Sequence, residues 1–146
     1  MTVKDILADK GTTVITVHEE KTVFEAMHVF AKNKVGSLLV LNDKNDPVGI
    51  IGARDVLMET LRVCEGIKKT KVKEIMTRDI IVGSREDDID AVEIVMTNNR
   101  IRHLPIVEQG KICGIISIGD LVKAQLKDMN VQNKYLNDYM VGRYPG

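Results

Sequence analysis

Two short phrases carry residue types that could act on a ligand. "GIISIGD" runs from Gly114 to Asp120, and "GIIGARD" runs from Gly49 to Asp55. Each ends in a carboxylate where an apolar run turns into a helical pattern. Such a carboxylate can accept hydrogen bonds from a ligand's hydroxyls, or act as an N-cap for the first free N–H groups of the helix. Ser117 adds a hydroxyl three residues before Asp120, where the other copy has Gly52. Gly119 leaves backbone open to close approach, and its counterpart Arg54 brings a cation. Arg102 and His103 stand just before the apolar run "LPIV". A guanidinium offers a fork of donors that suits phosphate oxygens, and an imidazole can donate beside it, neutral or charged. Lys10 is a further candidate for an anion or a solvated surface lysine. The residues argue against catalysis: no activated nucleophile, no paired acids at a catalytic spacing and no glycine-rich phosphate loop. His18 and His28 have no Cys, Asp or His clustered at ligand spacing, so no metal site is expected.

The elements that must hold these groups repeat as well. "VKDIL" at Val3–Leu7 returns as "VKEIM" at Val72–Met76, and Thr22–Leu41 maps onto Asp88–Val107. Self-similarity at a fixed spacing sets the architecture. Each half opens with a short apolar strand, Val14–Val17 or Asp79–Val82. A helix follows. Thr22 and Glu25 have capping-box spacing before the stripe Val23, Ala26, Met27, Phe30 and Ala31, and the second helix starts at Asp88. The runs "SLLVL" and "HLPIV" read as buried strands, and "VGIIG" and "CGIIS" read as their hairpin partners. A last helix is entered through Asp55 or Asp120. The class is therefore α/β (α+β), with two β-α-β-β-α repeats. About 60 residues is marginal for an independent core, so the halves are expected to fold together across a pseudo-two-fold axis. That arrangement makes two related clefts, a favoured location for small ligands.

Bulk properties narrow the partners. The 146 residues are 44% hydrophobic and 29% charged, which fits a globular chain rather than a disordered one. Zero formal net charge argues against a general nucleic-acid or anionic-membrane binder. Without Trp, no base-stacking platform is evident. Cys64 and Cys113 read as small apolar fillers in a reducing compartment. The start "MTVKDILADKG" carries no secretion signal and no segment reaches membrane-spanning length, so a cytoplasmic location is expected.

"RIRHLPIV" ahead of "GIISIGD", the "HLPIV" strand and the element order, all repeated in register, resemble the CBS domain, the cystathionine β-synthase type repeat. The resemblance covers Val3 to about Leu126. It implies a CBS pair, or Bateman module, with repeats at 1–66 and 67–126 and a helical tail at 127–146. "ADKG" and "YLNDYMVGRYPG" are similar to parts of small stand-alone CBS-pair proteins. The family implies a regulatory module that binds an adenosine-containing ligand. AMP or NAD(H) are favoured, with ADP, ATP or S-adenosylmethionine as alternatives. It also implies a homodimer and a regulated protein partner, and no enzyme activity. The competing reading is an interaction or dimerisation module with no nucleotide. Leu126, Met129, Leu136 and Tyr139/Met140 fall near helical spacing and suit a dimer seam or a docking tail.

The family pattern also assigns roles. Asp55 and Asp120 would each hold a ribose, and Arg102 and His103 would meet phosphates. The Asp120 cleft is expected to take Ile115, Ser117 and Gly119 from its own half. From the other half it would take Lys10, Thr13 and Ile15, with Val35, Gly36 and Ser37 near the base. The Asp55 cleft is expected to take Gly52 and Arg54, faced by Thr77, Asp79, Ile81, Ile101, Arg102 and His103. Ile15 and Ile81 would cover the adenine. Because of Ser117, the Asp120 cleft is expected to bind more tightly.

Overall fold

The structure, a computed structural model, describes residues 1–128. Five strands and six helices form two similar halves. The first half holds β1 (Thr16–His18), α2 (Val23–Asn33), β2 (Ser37–Leu41), β3 (Pro47–Gly52) and α3 (Ala53–Val63). The second holds α5 (Ile89–Asn99), β4 (His103–Glu108), β5 (Lys111–Ser117) and α6 (Ile118–Asp128). Helices α1 (Val3–Lys10) and α4 (Val72–Ile75) precede them. The expected tail lies, from Met129 onward, outside the described residues.

The helices start where their side chains satisfy free N–H groups. The Thr22 hydroxyl accepts from the Glu25 N–H at 3.1 Å, and the Glu25 carboxylate accepts from the Thr22 N–H at 3.2 Å. This is the capping box read from the sequence. Helices α2 and α5 end alike, with Lys34 (φ 53°) and Arg100 (φ 54°) in the left-handed region.

In the first half, β1 pairs parallel with β2, and β2 pairs antiparallel with β3. In the second half, β4 pairs antiparallel with β5, but the expected strand Asp79–Val82 does not form. A single parallel bridge remains, at Gly83 against Ile106. Pro105 supplies a reason. Its counterpart in the first repeat, Leu39, donates its N–H to the Ile15 carbonyl at 3.1 Å. Proline has no N–H to give the equivalent carbonyl, so one rung of the ladder is lost.

The recurring "VKDIL" and "VKEIM" form α1 and α4, elements that a β-α-β-β-α reading does not contain. Each packs into the opposite half. Val3, Ile6 and Leu7 of α1 join the core of Ile89, Val92, Met96, Leu104, Ile106, Ile116 and Leu121. Val72 of α4 and the adjacent Met76 join the core of Val17, Val23, Ala26, Leu38, Val40, Ile51 and Val56. The two starting glycines of the repeated phrase make this possible. A β-carbon at Gly114 would stand 2.6 Å from Leu7 Cδ2, and one at Gly49 would stand 2.5 Å from Met76 Sδ. Backbone bonds seal both crossings: Val3 N–H to the Asp87 carbonyl at 2.9 Å, and Val72 N–H to the Lys21 carbonyl at 2.8 Å.

Candidate functional site

Both acids of the repeated phrase sit in the first turn of a helix that follows directly on a strand. Asp120 Oδ2 accepts from the Ser117 N–H at 2.9 Å, and the Ser117 hydroxyl accepts from the Asp120 N–H at 3.0 Å. Ser117 is thus the cap and Asp120 the third helical residue, a reciprocal capping box rather than an Asp N-cap. Asp55 Oδ2 accepts from the Gly52 N–H at 2.8 Å. Gly52 has no hydroxyl to return the bond, so the first copy makes half of the same box.

The two acids differ in what else reaches them. Lys10, the last residue of α1, crosses from the first repeat. Its ammonium donates to Asp120 Oδ2 at 2.6 Å and to the Ile115 carbonyl at 2.8 Å. Burial works to raise the Asp120 carboxyl. The bonds from Lys10 and from the Ser117 N–H outweigh it and hold the group below the ordinary carboxylate value. No cation reaches Asp55 among the described residues. At Ile50, the counterpart of Ile115, the edge is closed by backbone instead. Ile50 and Thr77 exchange N–H to carbonyl bonds of 3.0 and 2.9 Å.

A cleft of about 810 Å³ opens at Asp55, between the repeats. Gly52, Arg54 and Asp55 form one side, with Thr77 beside them. Ile101, Arg102 and His103 come from the second repeat. Gly36 and Ser37, assigned by sequence to the other cleft, line this one. The His103 ring lies against Gly36, where an added β-carbon would meet Nε2 at 3.2 Å. Burial lowers the His103 pKa, and the positive charges of Lys10 and then Arg102 add to this while Asp120 opposes it. His103 therefore lines the Asp55 cleft and also feels the charges at Asp120.

Two residues expected in this cleft, Asp79 and Ile81, do not line it: Asp79 is exposed outside it, and Ile81 packs on the second core. Of those expected at Asp120, Thr13 is exposed, and Ile15 and Val35 pack on the first core. Gly119 is exposed at the start of α6. At Asp120 the open space is a smaller groove of about 330 Å³ between α1 and α6, lined by Lys10, Lys123 and Lys127 among others.

Sequence reading missed Arg100, Met96 and Ile50, which also line the 810 Å³ cleft. A usable signal existed for Arg100. It matches Lys34 in the repeat, the residue that ends its helix and precedes the strand. Arg54, Arg100 and Arg102 are exposed, and none is ion-paired among the described residues. These three guanidiniums around one carboxylate, over the apolar surface of Ile50 and Ile101, suit a ligand with an apolar ring, hydroxyls and an anionic end.

A family model for the CBS domain matches residues 3–62 and again 72–127. The chain is 30% identical to the CBS domain-containing protein CBSX3, mitochondrial, of Arabidopsis thaliana, over 98% of this chain and 73% of that one. Its structure resembles that of the CBS-domain containing protein ATU1752 from Agrobacterium tumefaciens, with a TM-score of 0.82 and 32% identity over 85% of this chain and 92% of that one. It also resembles the CBS domain pair of protein MJ0100 in complex with 5'-methylthioadenosine and S-adenosyl-L-methionine. There the TM-score is 0.76 and the identity 27%, over 88% of this chain and 98% of that one. No helix among the described residues is long and apolar enough to cross a membrane.

Proposed function

The chain belongs to the CBS-domain family in both of its repeats, and on that premise we propose that it is a regulatory module that binds an adenosine nucleotide between them. One observation carries this reading: the 810 Å³ cleft in which Asp55, three arginines without an ion pair among the described residues and an apolar floor meet. Asp55 uses one oxygen on Gly52 and keeps lone pairs for the two hydroxyls of a ribose. Ile50 and Ile101 offer surface to an adenine ring that gains by leaving water. Arg54, Arg100 and Arg102 offer forks to phosphate. AMP and NAD(H) lead as ligands, with ADP and ATP next. S-adenosylmethionine enters through the MJ0100 complex but brings its own positive charge toward the arginines. The ligand touches both repeats, so it favours one arrangement of them, and that differential binding is what a protein partner would read.

A thermal-shift panel of AMP, NADH, ATP and S-adenosylmethionine tests the reading. Ligand at about 100-fold over Kd adds about 2.7 kcal/mol of stability. Asp55→Ala is expected to remove most of the shift. If none of the four binds below roughly millimolar, near −4 kcal/mol, the reading fails.

A second reading, self-association, has its own support. Leu57, Met58 and Leu61 are 60%, 55% and 70% exposed on one stretch of α3. An apolar row of this kind suits a homodimer. The two readings are compatible. A reducing compartment such as the cytoplasm suits Cys64 and Cys113, both free thiols.

A further inference from the structure

Lys10 stands where a ligand of the Asp120 cleft would have to go. It is the last residue of α1, and α1 is anchored in the second core by Val3 (0% exposed) and Leu7 (2% exposed). The base of the side chain is therefore fixed, while its tip is movable. The ammonium holds Asp120 Oδ2 and the Ile115 carbonyl, and its third N–H is left for another acceptor. The pair is partly open to solvent, with side-chain exposures of 36% for Lys10 and 21% for Asp120. It can exchange with a ligand.

We propose that Lys10 is a specificity-determining gate of the Asp120 cleft, admitting adenosyl ligands that carry a phosphate and rejecting those that do not. The proposal rests on the nucleotide reading above. A ribose that approaches Asp120 competes with a charge-assisted bond of 2.6 Å. If the ligand brings hydroxyls alone, Lys10 loses its counter-charge. It is then left without compensation beside His103, on which its positive charge already acts. If the ligand brings a phosphate, Lys10 trades one anion for another and keeps its charge compensated. The exchange is nearly neutral for the second class and unfavourable for the first. The Asp55 cleft is an internal control, because there the edge is closed by Thr77 backbone and no lysine among the described residues pairs with the acid.

Amide-resolved NMR titrations of the full chain with AMP and with adenosine test the gate cleft by cleft. The amides of Ser117, Gly119 and Asp120 report one cleft, and those of Gly52 and Asp55 report the other. In the wild type, AMP is expected to outbind adenosine at the Asp120 cleft by about tenfold more than at the Asp55 cleft, the scale of one charge-assisted contact. Lys10→Met is expected to strengthen adenosine and weaken AMP there, collapsing the preference, with the Asp55 cleft unchanged. Lys10→Arg keeps the cation and is expected to keep the preference, and it also guards against a misfolded Met variant. An unchanged AMP-to-adenosine ratio at Ser117 and Asp120 in Lys10→Met overturns the gate. AMP shifts confined to Gly52 and Asp55 in every variant also overturn it, and they leave the nucleotide reading standing. No shift at either cleft with either compound overturns the gate, and the nucleotide reading falls with it only if NADH, ATP and S-adenosylmethionine also fail in the thermal-shift panel.

Discussion

Ser117 and Gly52 occupy one place in the two repeats and do different work. Ser117 closes a reciprocal cap with Asp120, while Gly52 offers Asp55 its N–H and nothing more. Ser117→Ala is expected to cost about 1 kcal/mol in a urea melt, the usual worth of a serine cap. A β-carbon at Gly52 meets nothing nearer than Asp55 Oδ2 at 3.6 Å. Gly52→Ser therefore fits and is expected to add a few tenths of a kcal/mol, because glycine is already a tolerable cap. His103 makes the pH prediction at this scale. Its folded pKa lies below the free value near 6.5, held down by burial and then by Lys10. Between those two values the unfolded chain binds more protons, so stability falls as pH drops below about 6.5. Urea melts at pH 7.5 and 5.5 should show a loss in the wild type that is smaller in His103→Asn. An equal loss in both would assign the pH dependence elsewhere.

Among the elements, α1 and α4 are what make one body of two repeats. Each enters the other's core over a glycine that leaves no room for a side chain. Gly114→Ala would set a methyl group 2.6 Å from Leu7 Cδ2, which must move inside a filled core. Overpacking of this kind costs roughly 1–3 kcal/mol. Calorimetry should show one transition at a lower Tm, because the second core cannot loosen without releasing α1 from the first repeat. Two separate transitions would mean that the exchange does not couple the halves. The crossing at α4 carries an ion network too. Glu20 accepts from Lys71 and Lys73, each at 2.6 Å, and these bonds hold its carboxyl down at about 2.

At the scale of the molecule, the two repeats are related but unequal. The first has a three-stranded sheet and an open cleft at its acid. The second has two strands, one bridge and a lysine on its acid. Ser117 suggested by its hydroxyl that the Asp120 side would be the better site. The larger space lies at Asp55. The unequal halves also leave their apolar surface unevenly placed, with Leu57, Met58 and Leu61 together on α3. Light scattering is expected to show a dimer for the wild type and a smaller species for Leu61→Asp, since a buried charge opposes association. A monomer in both cases would remove self-association through α3.

The repeat, both acids and the α-β-β-α order within each half were legible in the amino-acid sequence, because period, capping residues and turn residues act over a few neighbours. The arginine pair ahead of β4 was half legible: Arg102 by its place, Arg100 only through its match with Lys34. The cross-repeat partners were legible only through the family resemblance, which brought Lys10 to the Asp120 cleft and Thr77, Ile101, Arg102 and His103 to Asp55. The bond from Lys10 to Asp120 itself, the place of Gly36 and Ser37 beside Asp55, and the exchange of α1 and α4 between halves are contacts between residues far apart in the chain. Lys10 and Asp120 are separated by 110 positions. Local preference carries no information across that distance. Packing of the two cores decided it, by the space two glycines leave open and one N–H a proline lacks.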